Sequence, residues 1–145
     1  MSAEKALFYE GPYYMFSNFS SFALEWRGCL WPTSEHAYQA AKFEDSGVSS
    51  KIRTALSAHD AKKIAHANAD KVRRNWDEIK MDIMEDILRN KLGQNPYIQQ
   101  KLLETGDMEI VEDSPKDSFW GRGPDWNGEN NLGKLWMKLR KELRQ

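Results

Sequence analysis

The stretch PTSEHAYQAAKF, residues 32–43, decides how this chain folds. Pro-Thr-Ser supplies a hydroxyl N-cap just ahead of Glu35, and the run that follows predicts a helix over Glu35–Phe43. Upstream of it the pattern is short and strand-like. Ala6 to Tyr9, Phe22 to Trp26 and Cys29 to Trp31 are expected as brief strands, with Arg27-Gly28 turning the last two into a hairpin. Downstream, helix signals dominate. A second helix is expected over Ser49–Leu56, and a third from Ser57, spaced to Asp60 like a capping box, to about Ala69. The longest is expected to start at Asn75, with Glu78 as its N3 partner. Its apolar residues Trp76, Ile79, Ile83, Met84, Ile87 and Leu88 recur at three and four, and Gly93 is expected as its stop. Asn95-Pro96 opens another short helix that Gly106 ends. Met108 to Glu112 is expected as one more strand, and Leu132, Leu135, Trp136, Leu139 and Leu143 set an apolar stripe on a final helix. The fold class is mainly α: a single multihelical domain over residues 1–145, with a few short β-strands near the N-terminus and around 108–112.

Composition narrows the function. At 145 residues and 40% hydrophobic the chain closes one core, and 21 basic against 22 acidic residues give no overall field toward nucleic acid or anionic membrane. The opening MSAEKALFYEG lacks an apolar stretch of signal-peptide length, and nowhere does a run suffice to span a bilayer, so a cytoplasmic protein without membrane partners is expected. Cys29 is the single cysteine, and His36, His59 and His66 are scattered, so no structural zinc is expected. Nothing calls for a metal or an organic cofactor.

Two segments carry residues suited to chemistry. Glu35, Tyr38, Gln39 and Lys42 share one face of the first helix. Either this face lines a pocket, or Glu35 and Lys42 complement the two ends of the helix dipole on a solvated surface. The loop DSPKDSFWGRGPDWNGENN, residues 113–131, assembles carboxylates, flat rings and a guanidinium in Asp117, Trp120, Arg122, Asp125, Trp126 and Asn131. A stacked base needs a ring, a developing sugar cation needs a carboxylate, and a phosphate needs Arg, Lys or backbone N–H groups. The same loop also reads as a surface segment pinned by Trp120 and Trp126, with Asp117 capping a turn. Lys71 to Trp76 reads either as a phosphate and base contact or as a solvated turn with Trp76 in the core. Asn18, between Phe16 and Phe19, either offers an amide to a ligand or anchors its loop.

Taken together, WPTSEHAYQAAKF (31–43), RRNW (73–76), KLGQNP (91–96), LLETGDMEIVEDSPKDSFWG (102–121) and NNLGKLWMKLR (130–140) resemble the YbiA-like, or NADAR, family over nearly the whole chain. The resemblance implies a mainly helical domain with N-glycosidase activity on a small ribosyl-amine substrate. That substrate would be a phosphoribosylamino-pyrimidine of riboflavin biosynthesis, split to ribose 5-phosphate and a free aminopyrimidine. Other family members imply a second partner, DNA bearing ADP-ribosylated guanine, and a binding module without catalysis is a third reading. The family pattern implicates Glu35, Lys42 and Asp117 in catalysis, and Trp76, Trp120 and Asn131 in substrate binding. Tyr38, Gln39, Asn18 and Arg122 join the binding set on chemical grounds, while RGPDWNGEN between Gly121 and Asn131 has no counterpart in the family pattern.

Overall fold

Local chemistry at the helix starts explains most of the architecture in the computed structural model, which describes residues 4–145. The elements run β1 (Lys5–Phe8), a 3-10 segment (Gly11–Phe16), β2 (Leu24–Trp26), β3 (Cys29–Trp31), α1 (Ser34–Ala41), α2 (Ser46–Arg53), α3 (Ala58–Ala67), a 3-10 turn (Ala69–Lys71), α4 (Trp76–Gln94), α5 (Pro96–Glu104), β4 (Glu109–Glu112) and α6 (Asn131–Leu143). The fold is mainly helical with a few short strands, as expected. Among the described residues no helix is long and apolar enough to cross a membrane. Contacts group the chain into two compact units, Asn18–Gln94 and the N-terminal segment to Ser17 with Asn95–Gln145.

In the Asn18–Gln94 unit, β2 and β3 form an antiparallel hairpin pairing Leu24 with Trp31 and Trp26 with Cys29. Arg27 at φ 53° and Gly28 at φ 77° make the mirror-image turn that matches strand twist. Gln94 clasps the hairpin by exchanging two 2.7 Å hydrogen bonds with the backbone of Glu25, and the Trp26 indole donates to Asp86 at 2.7 Å. Thr33 Oγ1 accepts from His36 N, Asp45 Oδ1 from Gly47 N and Val48 N, and Ser57 Oγ from Asp60 N; these caps start α1, α2 and α3. The Asp45 cap starts α2 at Ser46, three residues before the expected Ser49. Every residue of α1 is buried, and Ala37, Ala40 and Ala41 let α2, α3 and α4 pack closely around it.

The end of α4 also differs from the expected boundary. Gly93 does not stop α4, which continues through Gln94. Gly93 stays helical, and the chain stops where Pro96 lacks an N–H and biases Asn95 out of the α region, to φ −130° and ψ 92°.

In the other unit, β1 and β4 pair in parallel, Lys5 with Glu109 through Phe8 with Glu112, and α6 packs on β4. The expected strands are found, β1 one residue earlier than Ala6–Tyr9. Gly106, at φ 57°, follows the end of α5 as expected. The α6 stripe of Leu132, Leu135, Trp136 and Leu139 is buried, with the Trp136 indole donating to Phe16 O at 3.0 Å. A Cβ at Gly133 would collide with the carbonyl of Ile110 and the side chain of Asn130, so glycine is what lets α6 lie this close to β4.

Candidate functional site

The first helix brings its polar face inward. Glu35, Tyr38 and Gln39 are 6%, 7% and 3% exposed, so the solvated-surface reading of that face does not hold. Gln39 Nε2 donates to Glu35 Oε2 at 2.6 Å. A carboxylate only accepts, so this bond fixes the amide orientation and leaves Gln39 Oε1, which is buried, without a hydrogen-bond partner. At the C-terminal end of α1, Lys42 is half-buried with Nζ 5.6 Å from the Tyr38 ring centroid. Burial pushes its pKa below the usual lysine value, Glu35 opposes that shift, and Lys62 and Lys80 add to it. Trp76, at the first residue of α4, is buried and tilts against Tyr38 with centroids 5.2 Å apart. The structure therefore gathers Glu35, Tyr38, Gln39, Lys42 and Trp76 in one place, with an amine, a carboxylate and aromatic rings as neighbours.

Asn18 sits beneath the start of α1. Its carbonyl accepts from Glu35 N at 3.0 Å, its Oδ1 accepts from Ser34 Oγ at 3.0 Å, and its Nδ2 approaches Met84 Sδ at 3.5 Å. The amide is thus engaged in orienting the helix that carries Glu35. Sequence reasoning missed the group below it. Lys91 is completely buried, 3.1 Å from Ser20 Oγ and 3.5 Å from Ser34 Oγ, and burial pushes its pKa down to about 7. A lysine in the last turn of an amphipathic helix carries no sequence signal of such burial. His36 is held by Thr33 Oγ1 at 2.8 Å and Ala55 O at 3.0 Å.

The 113–131 loop gathers its own candidates. Asp117 Oδ1 accepts from Phe119 N at 3.0 Å and Trp120 N at 2.8 Å, an arrangement that folds the backbone over the side chain. Half-buried Trp120 meets Phe119 edge-on at 4.7 Å. Arg122 donates through Nε to Asp113 at 2.5 Å and through Nη1 to Gly123 O at 2.8 Å, and stacks 4.2 Å from the centroid of exposed Trp126. Asn131 is the first residue of α6, its N–H bonded to Phe119 O. Its neighbour Asn130, which sequence reasoning passed over, holds a left-handed backbone and bridges Glu112 N and Ile110 O at 2.9 Å each. Among the described residues, no group of three or more His, Cys, Asp or Glu side chains is placed to hold a metal ion.

A mainly helical chain whose first helix buries a Glu and a Gln beside a half-buried Lys belongs to a definite class: the family model for the NADAR domain matches residues 7–144, and the chain is a member of that family. It is 39% identical to an N-glycosidase of Nostoc punctiforme over 92% of this chain and 87% of that protein, and 37% identical to the N-glycosidase YbiA of Escherichia coli over 88% and 80%. It is also 39% identical to a riboflavin biosynthesis protein of Vibrio vulnificus over 89% of this chain, where it spans 35% of that protein's length. The NMR structure of the Escherichia coli protein YbiA superposes with a TM-score of 0.89 at 35% identity, covering 99% of this chain and 87% of that one.

Proposed function

We propose that this protein hydrolyses the bond between ribose C1 and the exocyclic amine of a phosphoribosylamino-pyrimidine made during riboflavin biosynthesis, releasing ribose 5-phosphate, with Lys42 as nucleophile. By its family it is a hydrolase acting on N-glycosyl bonds. The narrower substrate is supported by relatives named for riboflavin biosynthesis in Vibrio vulnificus and in maize chloroplasts, of which the chain spans 35% and 23%. The observation that carries the mechanism is the Lys42 amine, desolvated beside a buried carboxylate.

A ribosylamine on an exocyclic nitrogen opens readily. The nitrogen lone pair forms C1=N as the bond from C1 to the ring oxygen breaks, and that oxygen takes a proton. The neutral Lys42 amine then adds to C1. Glu35 accepts the proton from Nζ and passes it to the departing nitrogen, the C1–N bond to the pyrimidine breaks, and a C1=Nζ imine remains. Water adds to the imine, expulsion of the Lys42 amine frees the sugar aldehyde, and ring closure gives ribose 5-phosphate. Tyr38 and Trp76 supply flat faces for the base, and Gln39 Oε1 accepts from one of its N–H groups. That bond would offset the cost of about 1–3 kcal/mol for leaving a buried acceptor unpaired. Asp117 holds the turn on which Trp120 stands.

The test is mass-spectrometric product analysis with a freshly prepared phosphoribosylamino-pyrimidine, with and without borohydride. Wild-type protein should release ribose 5-phosphate, and borohydride should fix one pentose phosphate on Lys42. Release without any trapped adduct on Lys42 removes the imine route. Absence of release moves the activity to guanine carrying ADP-ribose.

A further inference from the structure

Lys62 and His66 stand one turn apart on the same side of α3, and Lys80 lies in the second turn of α4. Both helices pack against α1. Lys62 and Lys80 each lower the Lys42 pKa, and Lys42 and Lys62 lower that of His66, in both cases after the larger effect of burial. Arg73, in the connection leading to α4, joins them: its N–H donates to Lys42 O at 2.8 Å and its Nη2 to Phe43 O at 3.3 Å. Its Nε is buried and has no hydrogen-bond partner. Among carboxylates, Glu35 acts on Lys42 and is bonded to Gln39, while Asp77 pairs with Lys80 at 3.2 Å.

Lys62 on α3 and Lys80 on α4 thus flank Lys42 on helices packed against α1, and Arg73 is bonded to the Lys42 and Phe43 carbonyls; the repulsion on Lys42 is one that a bound anion would reverse. The geometry points to a phosphate subsite in which Lys62, Lys80 and Arg73 hold the 5-phosphate of the substrate while its C1 faces Lys42. Lys62 is exposed and Lys80 half-buried, so their long side chains can close over a phosphate from two helices, and Arg73 supplies a directional donor at its base. This placement rests on Lys42 as the attacking amine. It makes the subsite a selector: a ribosylamine lacking the phosphate would reach Lys42 without being held.

The test compares wild-type protein with the double variant Lys62→Gln/Lys80→Gln, whose folding is checked by thermal melt and against the single variant Lys62→Gln at the exposed position. Calorimetric titration with inorganic phosphate and with ribose 5-phosphate should show binding by the wild type that weakens at least about tenfold in the variant. The ratio of kcat/KM for phosphorylated over unphosphorylated ribosylamine should fall by a similar factor. Phosphate binding weakened by the substitutions supports the subsite even if neither ribosylamine is turned over, a result that strikes the hydrolase reading alone. Absence of phosphate binding by the wild type, or equal affinity in the double variant, overturns it.

Discussion

Glu35 and Asp117 are both carboxylates in segments rich in aromatic residues, yet they are bonded differently. Glu35 is 6% exposed and bonded by a side-chain amide that is itself left with an unpaired acceptor. Asp117 is half-buried, and one of its oxygens takes two backbone N–H groups. A carboxylate bonded to the backbone is committed to geometry, because losing it unfolds a turn. A carboxylate bonded to a side chain and facing an amine can exchange protons without disturbing the backbone. In the proposed reaction the α1 face is therefore where the bond breaks, whereas Asp117 shapes its own loop.

The strongest way to break this comparison is to remove the amine. Lys42→Ala should lower turnover about a thousandfold or more while the melting temperature hardly moves, since among the described residues the Lys42 side chain meets the Tyr38 ring and makes no hydrogen bond that supports the fold. Its pH dependence sharpens the point. In the proposed reaction the attacking form is the free amine, and the Lys42 pKa is lowered, so kcat/KM should rise with pH along a limb lying below the ordinary lysine value of about 10.4. Glu35 works against that lowering, so Glu35→Gln should move the Lys42 titration to still lower pH, read by NMR of the isotopically methylated amine. A shift upward would mean that the carboxylate does not act on Lys42 as drawn.

Next in size is the buried amine under the first helix. Lys91, through Ser34, supports the same helix start that Asn18 orients, and its pKa in the fold is about 7. The unfolded chain therefore holds a proton that the folded chain gives up between about pH 7 and 10.4, and stability should rise with pH across that window by up to about 1.4 kcal/mol per unit. Below the window both states are charged and the full burial penalty remains. Lys91→Met should be at least as stable as wild type near neutrality and should lose this slope, measured by urea unfolding at pH 7, 8 and 9. Parallel curves for the two proteins would mean that the amine stays charged in the fold.

On the loop side, Asp117→Ala should cost about 1 kcal/mol, the usual value of a lost backbone-capping side chain, whereas Asp117→Asn keeps the accepting oxygen and should cost a few tenths. Denaturant titration of both variants, with turnover measured alongside, decides the matter. An Asp117→Asn protein that is folded but inactive would move Asp117 into the chemistry and erase the contrast with Glu35.

What the sequence made legible was local. Thr33, Ser57, Pro96 and Gly106 act within one turn of themselves, so their caps and stops were readable, and so was the spacing that aligns Glu35, Tyr38, Gln39 and Lys42. The direction in which that face points was not readable, because it depends on α2, α3 and α4 packing around a helix whose alanines permit it. The parallel pairing of β1 with β4 joins residues about a hundred positions apart, and Asn130 bridges Ile110 and Glu112 from a left-handed backbone. No periodicity encodes either. Lys91 stands in the last turn of α4, where a lysine is ordinary, and the packing around it that makes it a buried amine beside Ser20 and Ser34 is not local.

The misread glycine provides the smallest effect and a clean measurement. Gly93 lies inside α4, exposed, with nothing within 4 Å of where a Cβ would stand. In that setting glycine only adds backbone freedom to the unfolded chain, so Gly93→Ala should stabilise the protein by about 0.5–1 kcal/mol and leave kcat and KM unchanged. Had Gly93 been the helix terminator that its position suggested, its φ would be positive and an alanine there would destabilise instead. The sign of one denaturation shift therefore separates the two boundaries. It also tests whether Gln94 remains in register to clasp Glu25 in the hairpin.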